Sequence, residues 1–271
     1  MLEILYEDAS VIVVWKPVGM ESQSSRGFGA DMVSEIRRHI HKLSPKSGEP
    51  YVGVIHRLDK PVSGILVYAK DKKAAAALSK QVSGGAMSKK YLAVLCGKPA
   101  QNVDNYVDYL LKEEKENRSR IVDKGITGAK QAKLRLRSLE TRTVEPYGEL
   151  TLAEVTLFTG RHHQIRVQMA GHGLPLWGDN RYNPMFGGTA GSGSGRSAAP
   201  AEAGGLRTPA GAGNLTPLAG PGGLTPPARY RRPTVALAAW QLSFTHPVTG
   251  KELRFVRKPE GSIFQELAKL S

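Results

Sequence analysis

Val54-Ile55-His56-Arg57-Leu58-Asp59-Lys60-Pro61-Val62-Ser63-Gly64-Ile65-Leu66-Val67-Tyr68 is the stretch on which the reading of this chain turns. It sets one acid, Asp59, in a short polar turn with three potential cations, His56, Arg57 and Lys60. Apolar runs that read as buried strands flank the turn, Tyr51 to Ile55 before it and Ile65 to Ala69 after it. A carboxylate held beside cations at a strand end stays ionised. It is then a poor general acid at neutral pH, and suited to act as a nucleophile or as the electrostatic partner of a developing cation.

A second informative stretch is Thr159-Gly160-Arg161-His162-His163-Gln164-Ile165-Arg166-Val167-Gln168. A strand ends at Phe158, Gly160 turns the chain, and a helix starts near His163. Ile165 and Met169 lie one turn apart and face the core, which leaves Arg166 partly buried beside them. A buried guanidinium needs a carboxylate partner. Taken alone, Arg166 reads first as half of a structural salt bridge unconnected with chemistry. Lys90-Tyr91 opens a further strand, and Tyr91 reads either as a core tyrosine or as a ring that stacks on a planar ligand.

His56-Arg57-Leu58-Asp59 with Ser63-Gly64 resembles the catalytic loop of the RluA-type pseudouridine synthases, enzymes that detach a uridine base in RNA, rotate it and rejoin it through C5. The resemblance implies that Asp59 is the catalytic residue and that Arg57 helps displace the target nucleotide. Gly160 to Arg166 matches the family's Gly-Arg-x-His-Gln-Ile-Arg motif, which implies an ion pair between Arg166 and Asp59. Lys90-Tyr91 stands where the family has a tyrosine against the base, so Tyr91 is expected to stack on uracil and to offer its hydroxyl as a general base. Lys16-Pro17-Val18-Gly19 resembles the turn that opens the family's fold. Gly173 to Asp179 with Tyr182 resembles a segment of its cleft wall, and Leu237 to Pro247 its penultimate strand. In that strand position 238 is usually His and is Ala here, which puts any hydrogen bond of that His in doubt. The resemblance runs from about Leu2 to Pro259. It implies an α+β fold, a single catalytic domain over 1–271 built on a mixed, mostly antiparallel sheet with flanking helices and a central cleft.

Bulk properties agree with such a partner. The 271 residues hold 38 Lys and Arg against 24 Asp and Glu, a formal charge of +14, and a hydrophobic fraction of 40% supplies a core. A basic surface suits a polyanion, because cations on phosphates release condensed counterions. A merely basic protein, or one that binds a membrane surface, would carry the same sign. The single cysteine, Cys96, allows neither an intrachain disulfide nor a cysteine-based zinc site. His162, His163 and His172 lack a carboxylate at ligand spacing, so no metal is expected, and no cofactor. The opening residues lack the apolar run of a signal peptide, and no stretch approaches the roughly 18 apolar residues that span a bilayer. A soluble, cytoplasmic monomer with no obligatory protein partner is expected.

Helices are expected from Asp31 through Leu43, from Asp71 to Gly84-Gly85, and at the C-terminus from a Ser262/Gln265 capping box. Lys112 to Arg120 reads as a mixed-charge hairpin turn in solvent. Residues 184–233 hold 12 glycines, 8 prolines and 9 alanines, with five arginines against one acid, Glu202. Such a composition cannot bury enough apolar surface to offset its ordering entropy, so a flexible insertion is expected there. His56, Arg57, Lys60, Arg161 and His162 are the expected RNA contacts, in tRNA or rRNA. Three routes stay open for Asp59: attack on C1′, passage through a glycal, or addition to C6. Two other functions remain as well, a catalytically silent RNA-binding protein of the same fold and an N-glycosidase using Asp59 and water, for which no clear carboxylate pair is present.

Overall fold

The structure, a computed structural model, describes residues 2–24, 31–45, 48–187 and 233–268. Of the segment 184–233, all but 184–187 and 233 lies outside the described residues. The chain order is β1 (Glu3–Glu7), β2 (Val11–Lys16), α1 (Met32–Leu43), β3 (Gly53–Val54), β4 (Ser63–Ala69), α2 (Lys72–Ser83), β5 (Ser88–Cys96), β6 (Val103–Glu113), β7 (Arg118–Val122), β8 (Lys130–Val144), β9 (Gly148–Leu157), α3 (Gln164–Gly171), β10 (Leu237–Thr245), β11 (Glu252–Val256) and α4 (Ser262–Ala268).

Among the described residues eleven strands form one sheet, in the order β1-β2-β4-β10-β5-β9-β8-β6-β7, with β11 beside β10 and β3 beside β4. All of its ladders are antiparallel except β4 with β10. The α+β, mostly antiparallel architecture is therefore present. Alternate residues of the central strands point to opposite sheet faces. Tyr91, Ala93 and Leu95 of β5 join Ile12, Leu66, Leu134, Ile36 and Ile165 in one core. Leu92 and Val94 join Val13, Val67, Leu78, Trp177 and Phe244 in the other.

The helix ends follow the capping chemistry. Asp31 accepts from the Ser34 amide at 3.1 Å and starts α1. Asp71 accepts from the Ala74 amide at 2.8 Å and starts α2, which ends at Gly84. Helix α4 begins at Ser262 as expected, while Leu270 lies outside the described residues. The mixed-charge stretch is the tip of the β6–β7 hairpin.

One expected strand is largely missing. Of Tyr51 to Ile55 only Gly53 and Val54 pair, with Ala69 and Tyr68. The same strand β4 also pairs with β10, at Ser63 and Gly64. Between these pairings the imidazole Nε2 of His56 accepts from the Val67 amide at 3.4 Å, so a side chain stands where a ladder would continue. Ala238 is fully buried near the start of β10, opposite Ser63 and Leu92.

Candidate active site

The loop that carries Asp59 is fixed from behind by residues 16–22. Lys16 ends β2, and its Nζ donates to the carbonyls of Pro17, Met20 and Lys60 at 3.0, 2.7 and 3.3 Å. The Gly19 amide also reaches Lys60 O, at 2.9 Å. Ser22 clamps Leu58, its hydroxyl donating to the carbonyl and accepting from the amide, both at 2.9 Å. Within the loop the Val62 amide closes a turn onto Asp59 O. The Asp59 carboxylate is thereby held in the loop that leads into β4, with its side chain 29% exposed.

Arg166 arrives from the first turn of α3. Its side chain is 4% exposed, and its main partner is one the sequence did not single out. Nε and Nη2 donate to Oδ2 and Oδ1 of Asp179, both at 2.8 Å, in a bidentate fork. The expected pair with Asp59 is also present, as a single contact from Nη1 to Oδ2 at 3.2 Å. Burial alone would lower the Arg166 pKa, but Asp179 first and Asp59 second reverse this, and the net shift is upward. Burial likewise pushes the Asp179 carboxyl up, and Arg166 with the Arg181 and Tyr182 amides pulls it below its ordinary value. Asp179 follows the Gly178 turn, where φ is +71° and a Cβ would lie 2.3 Å from the Thr234 carbonyl oxygen. An acid directly behind such a turn, 13 residues from a buried arginine, was the available clue.

His163 also adjoins Asp59, its Nε2 standing 3.6 Å from Oδ2. It occupies the N-cap of α3 in the left-handed region, with φ 53°. For a non-glycine residue that conformation costs on the order of 1–3 kcal/mol and is kept where surrounding contacts enforce it. Here Nδ1 hydrogen-bonds the Tyr182 hydroxyl at 2.8 Å, and the ring stacks on His162 at 3.8 Å. Burial lowers the His163 pKa to about 4 against the opposing pull of Asp59, with Arg166, His162 and Arg181 adding to the fall. Its imidazole is neutral at neutral pH.

Tyr91 comes from β5, nearly buried in the core and close enough to Asp59 to feel its charge. Burial first, and Asp59 second, raise its phenolic pKa. The phenol therefore stays protonated, which weighs against the expected general-base use of its oxygen. Lys16 is fully buried, and burial lowers its pKa to about 8 while Asp59 opposes the fall. Its signal was a lysine closing the apolar run Val11 to Trp15.

The residues expected to touch RNA divide. Arg57 and Lys60 are exposed, and Lys60 Nζ lies 3.6 Å from Glu21. Arg161 is exposed, with Nε donating to Gln131 O at 2.9 Å. His162 is half-buried between Ser119 Oγ at 2.9 Å and Asn117 Oδ1 at 3.1 Å, which ties the β6–β7 hairpin to the site. His56 corrects the sequence reading. Burial, with Lys89 nearby, lowers its pKa to about 3. It is a neutral plug on the edge of β4, and the turn carries two cations where three were expected. Among the described residues no three His, Cys, Asp or Glu side chains gather as a metal site would require.

The clamped loop thus sets one partly exposed carboxylate against a buried guanidinium and within electrostatic reach of a buried phenol. The RNA pseudouridylate synthase family model matches residues 10–171, which include both halves of that arrangement, and this chain belongs to that family. It is 31% identical over 253 residues to the ribosomal large subunit pseudouridine synthase D of Nitrosomonas europaea, covering 93% of this chain and 60% of that one. It is 34% identical over 184 residues to the uncharacterized RNA pseudouridine synthase YlyB of Bacillus subtilis, covering 68% and 58%. The chain thus spans about 60% of the length of these curated relatives. The solved human RNA Pseudouridylate Synthase Domain Containing 4 shares the fold, with a TM-score of 0.69 at 20% identity over 98% of this chain and 92% of that one.

Proposed function

We propose that this chain isomerises uridine to pseudouridine in RNA, with Asp59 as the catalytic carboxylate. The observation that carries the reading is the single Arg166 contact to Asp59, made by a guanidinium already fixed on Asp179. That fork leaves Asp59 oriented yet open, as a group that must meet C1′ or C6 of a flipped nucleotide requires. The reaction breaks N1–C1′, forms C5–C1′ and sends the C5 proton to solvent. Tyr91, kept neutral by burial, supplies a face for the ring, and water is the acceptor for that proton. Arg57, exposed next to Asp59, enters the place the target base vacates. Lys60 and Arg161 meet phosphates at the rim, and unstacking costs a few kcal/mol that such contacts offset. The names of the relatives favour large-subunit ribosomal RNA over tRNA as the substrate. We further propose a single catalytic domain acting as a cytoplasmic monomer. In support, no helix among the described residues is long and apolar enough to cross a membrane.

The test is tritium release from ribosomal RNA labelled at uridine C5. The wild-type chain is expected to release label to water, and Asp59→Asn to stop the release while the fold survives. Free uracil in place of pseudouridine would make the chain a glycosidase. RNA binding without release by the wild type would make it a silent binder.

A further inference from the structure

Among the described residues, the sheet face opposite Tyr91 is exposed around the first half of β8, which runs between β6 and β9. Strand β8 places Lys133, Arg135 and Arg137 on that face by simple alternation, with Leu134 and Leu136 buried on the other. Their cross-strand neighbours are Val107, Asn105 and Val103 on β6. On the opposite side Thr156 and Glu154 of β9 lie beside Arg135 and Arg137, and Lys90 of β5 pairs with Thr156. Glu154 is the one acid in this patch, and it is held by both Lys90 at 3.3 Å and Arg137 at 3.2 Å. Four cations against one carboxylate leave a net charge of +3. Phe158 closes the patch at the end of β9, 54% exposed, with the Arg135 guanidinium 5.9 Å from its ring centroid.

Two further observations say what this face fits. The cations are spaced at alternate strand positions, about 6.8 Å apart, as a row that a backbone of regularly repeated negative charge can follow. The row also ends at the site itself. The carbonyl of Lys133 accepts from the Gln164 side-chain amide at 3.1 Å and from the Thr159 amide at 3.3 Å, and Arg161 holds Gln131 O. Lys133 therefore adjoins the Thr159–Gln164 segment, which leads into α3 and Arg166. The chain's own segment 188–232 carries five arginines against one acid, a charge that does not complement this face.

We propose that Lys133, Arg135, Arg137 and Phe158 form a second RNA-binding surface, which grips the phosphates of a single-stranded stretch flanking the target and stacks one of its bases on Phe158. The proposal rests on RNA being the substrate. Exposed aromatic rings beside arginines bind single strands by stacking without sequence preference, so the surface adds affinity and leaves the choice of uridine to the pocket.

The test uses the full chain and a fluorescein-labelled, single-stranded uridine-rich RNA, with anisotropy read from about 50 to 200 mM salt. The variant carrying Lys133→Gln, Arg135→Gln and Arg137→Gln is expected to bind about tenfold more weakly and to lose about two units of the log–log salt slope, at roughly 0.7 per contact. Phe158→Ala is expected to cost about tenfold with the slope unchanged. On ribosomal RNA the triple variant should raise KM and keep kcat. A folded triple variant with wild-type affinity and slope overturns the proposal. Acetylation of lysines on the wild type decides the matter if the variant does not fold. RNA must shield Lys133, and a Lys133 left reactive under RNA but shielded by poly-glutamate assigns the face to an acidic protein segment instead. Tritium release by the wild type is scored separately. Shielding of Lys133 without release removes the enzymatic reading and keeps the surface, and release without shielding does the reverse.

Discussion

Two carboxylates meet the same guanidinium, and they differ in nearly every other respect. The Asp179 side chain has no solvent exposure, makes two parallel bonds to Arg166 and accepts from the Arg181 and Tyr182 amides at 2.9 and 3.2 Å. Asp59 has one longer contact and an open flank. A carboxylate whose lone pairs are all engaged is an anchor, and one with lone pairs to spare is a reagent. On the proposed function, holding and reacting fall to different acids, so damage to one should register in a different measurement from damage to the other.

The sharpest way to break that contrast is Asp59→Asn, which is expected to lower tritium release by about 10³-fold or more while the urea midpoint barely moves. A large loss of stability would make Asp59 a second anchor. Asp179→Ala should do the opposite first. It strands a buried guanidinium, and stability is expected to fall by about 3–5 kcal/mol in urea titrations. An unchanged midpoint would show that Asp59 alone suffices to hold Arg166. Next in size is Tyr91→Phe. Because the phenol is held protonated, removing its oxygen should cost about tenfold or less in kcat, whereas a loss matching Asp59→Asn would restore it as an essential base.

The smallest effect concerns His163, which touches both parts. Its folded pKa of about 4 lies below the ordinary value of 6.5, so between those values the unfolded chain binds the extra proton. Stability should therefore fall as pH drops from about 6.5 to about 4, and level out below. The neutral His56, at about 3, adds a slope of the same sign. His163→Gln should make the curve shallower in this window and leave the parts due to the other groups with lowered pKa values, His56 and His162 among them. Asp59, Arg166, His162 and Arg181 face the ring and are unaltered by that change.

How much of this was legible depended on whether a signal was local. Both helix starts at Asp31 and Asp71 were readable, because a cap and its first turn lie within three residues. The contact between Arg166 and Asp59 was reached through motif resemblance, and the burial of Arg166 through its neighbours Ile165 and Met169 on α3. The main partner of Arg166 was not reached, since Asp179 sits in a turn with no periodicity to place it. His56 misled for a related reason. In the sequence it stands at the head of a turn with Arg57, Asp59 and Lys60, but its environment is set by β4, which lies beside it only in three dimensions. Lys16 likewise looked like the polar end of a strand, and three carbonyls from two separate turns gather around it.

The seam between the halves of the molecule lies at β10. Strands β2 and β4, which lead to Asp59, and strands β5 and β9, which lead to Tyr91 and Arg166, do not pair with one another, because β10 runs between them. At Gly64 the join is so close that a Cβ would stand 2.5 Å from the Ala239 amide nitrogen. Asp59, Tyr91 and Arg166 all precede Leu237–Thr245 in the chain, yet among the described residues it is that strand which joins the two parts of the sheet beside them.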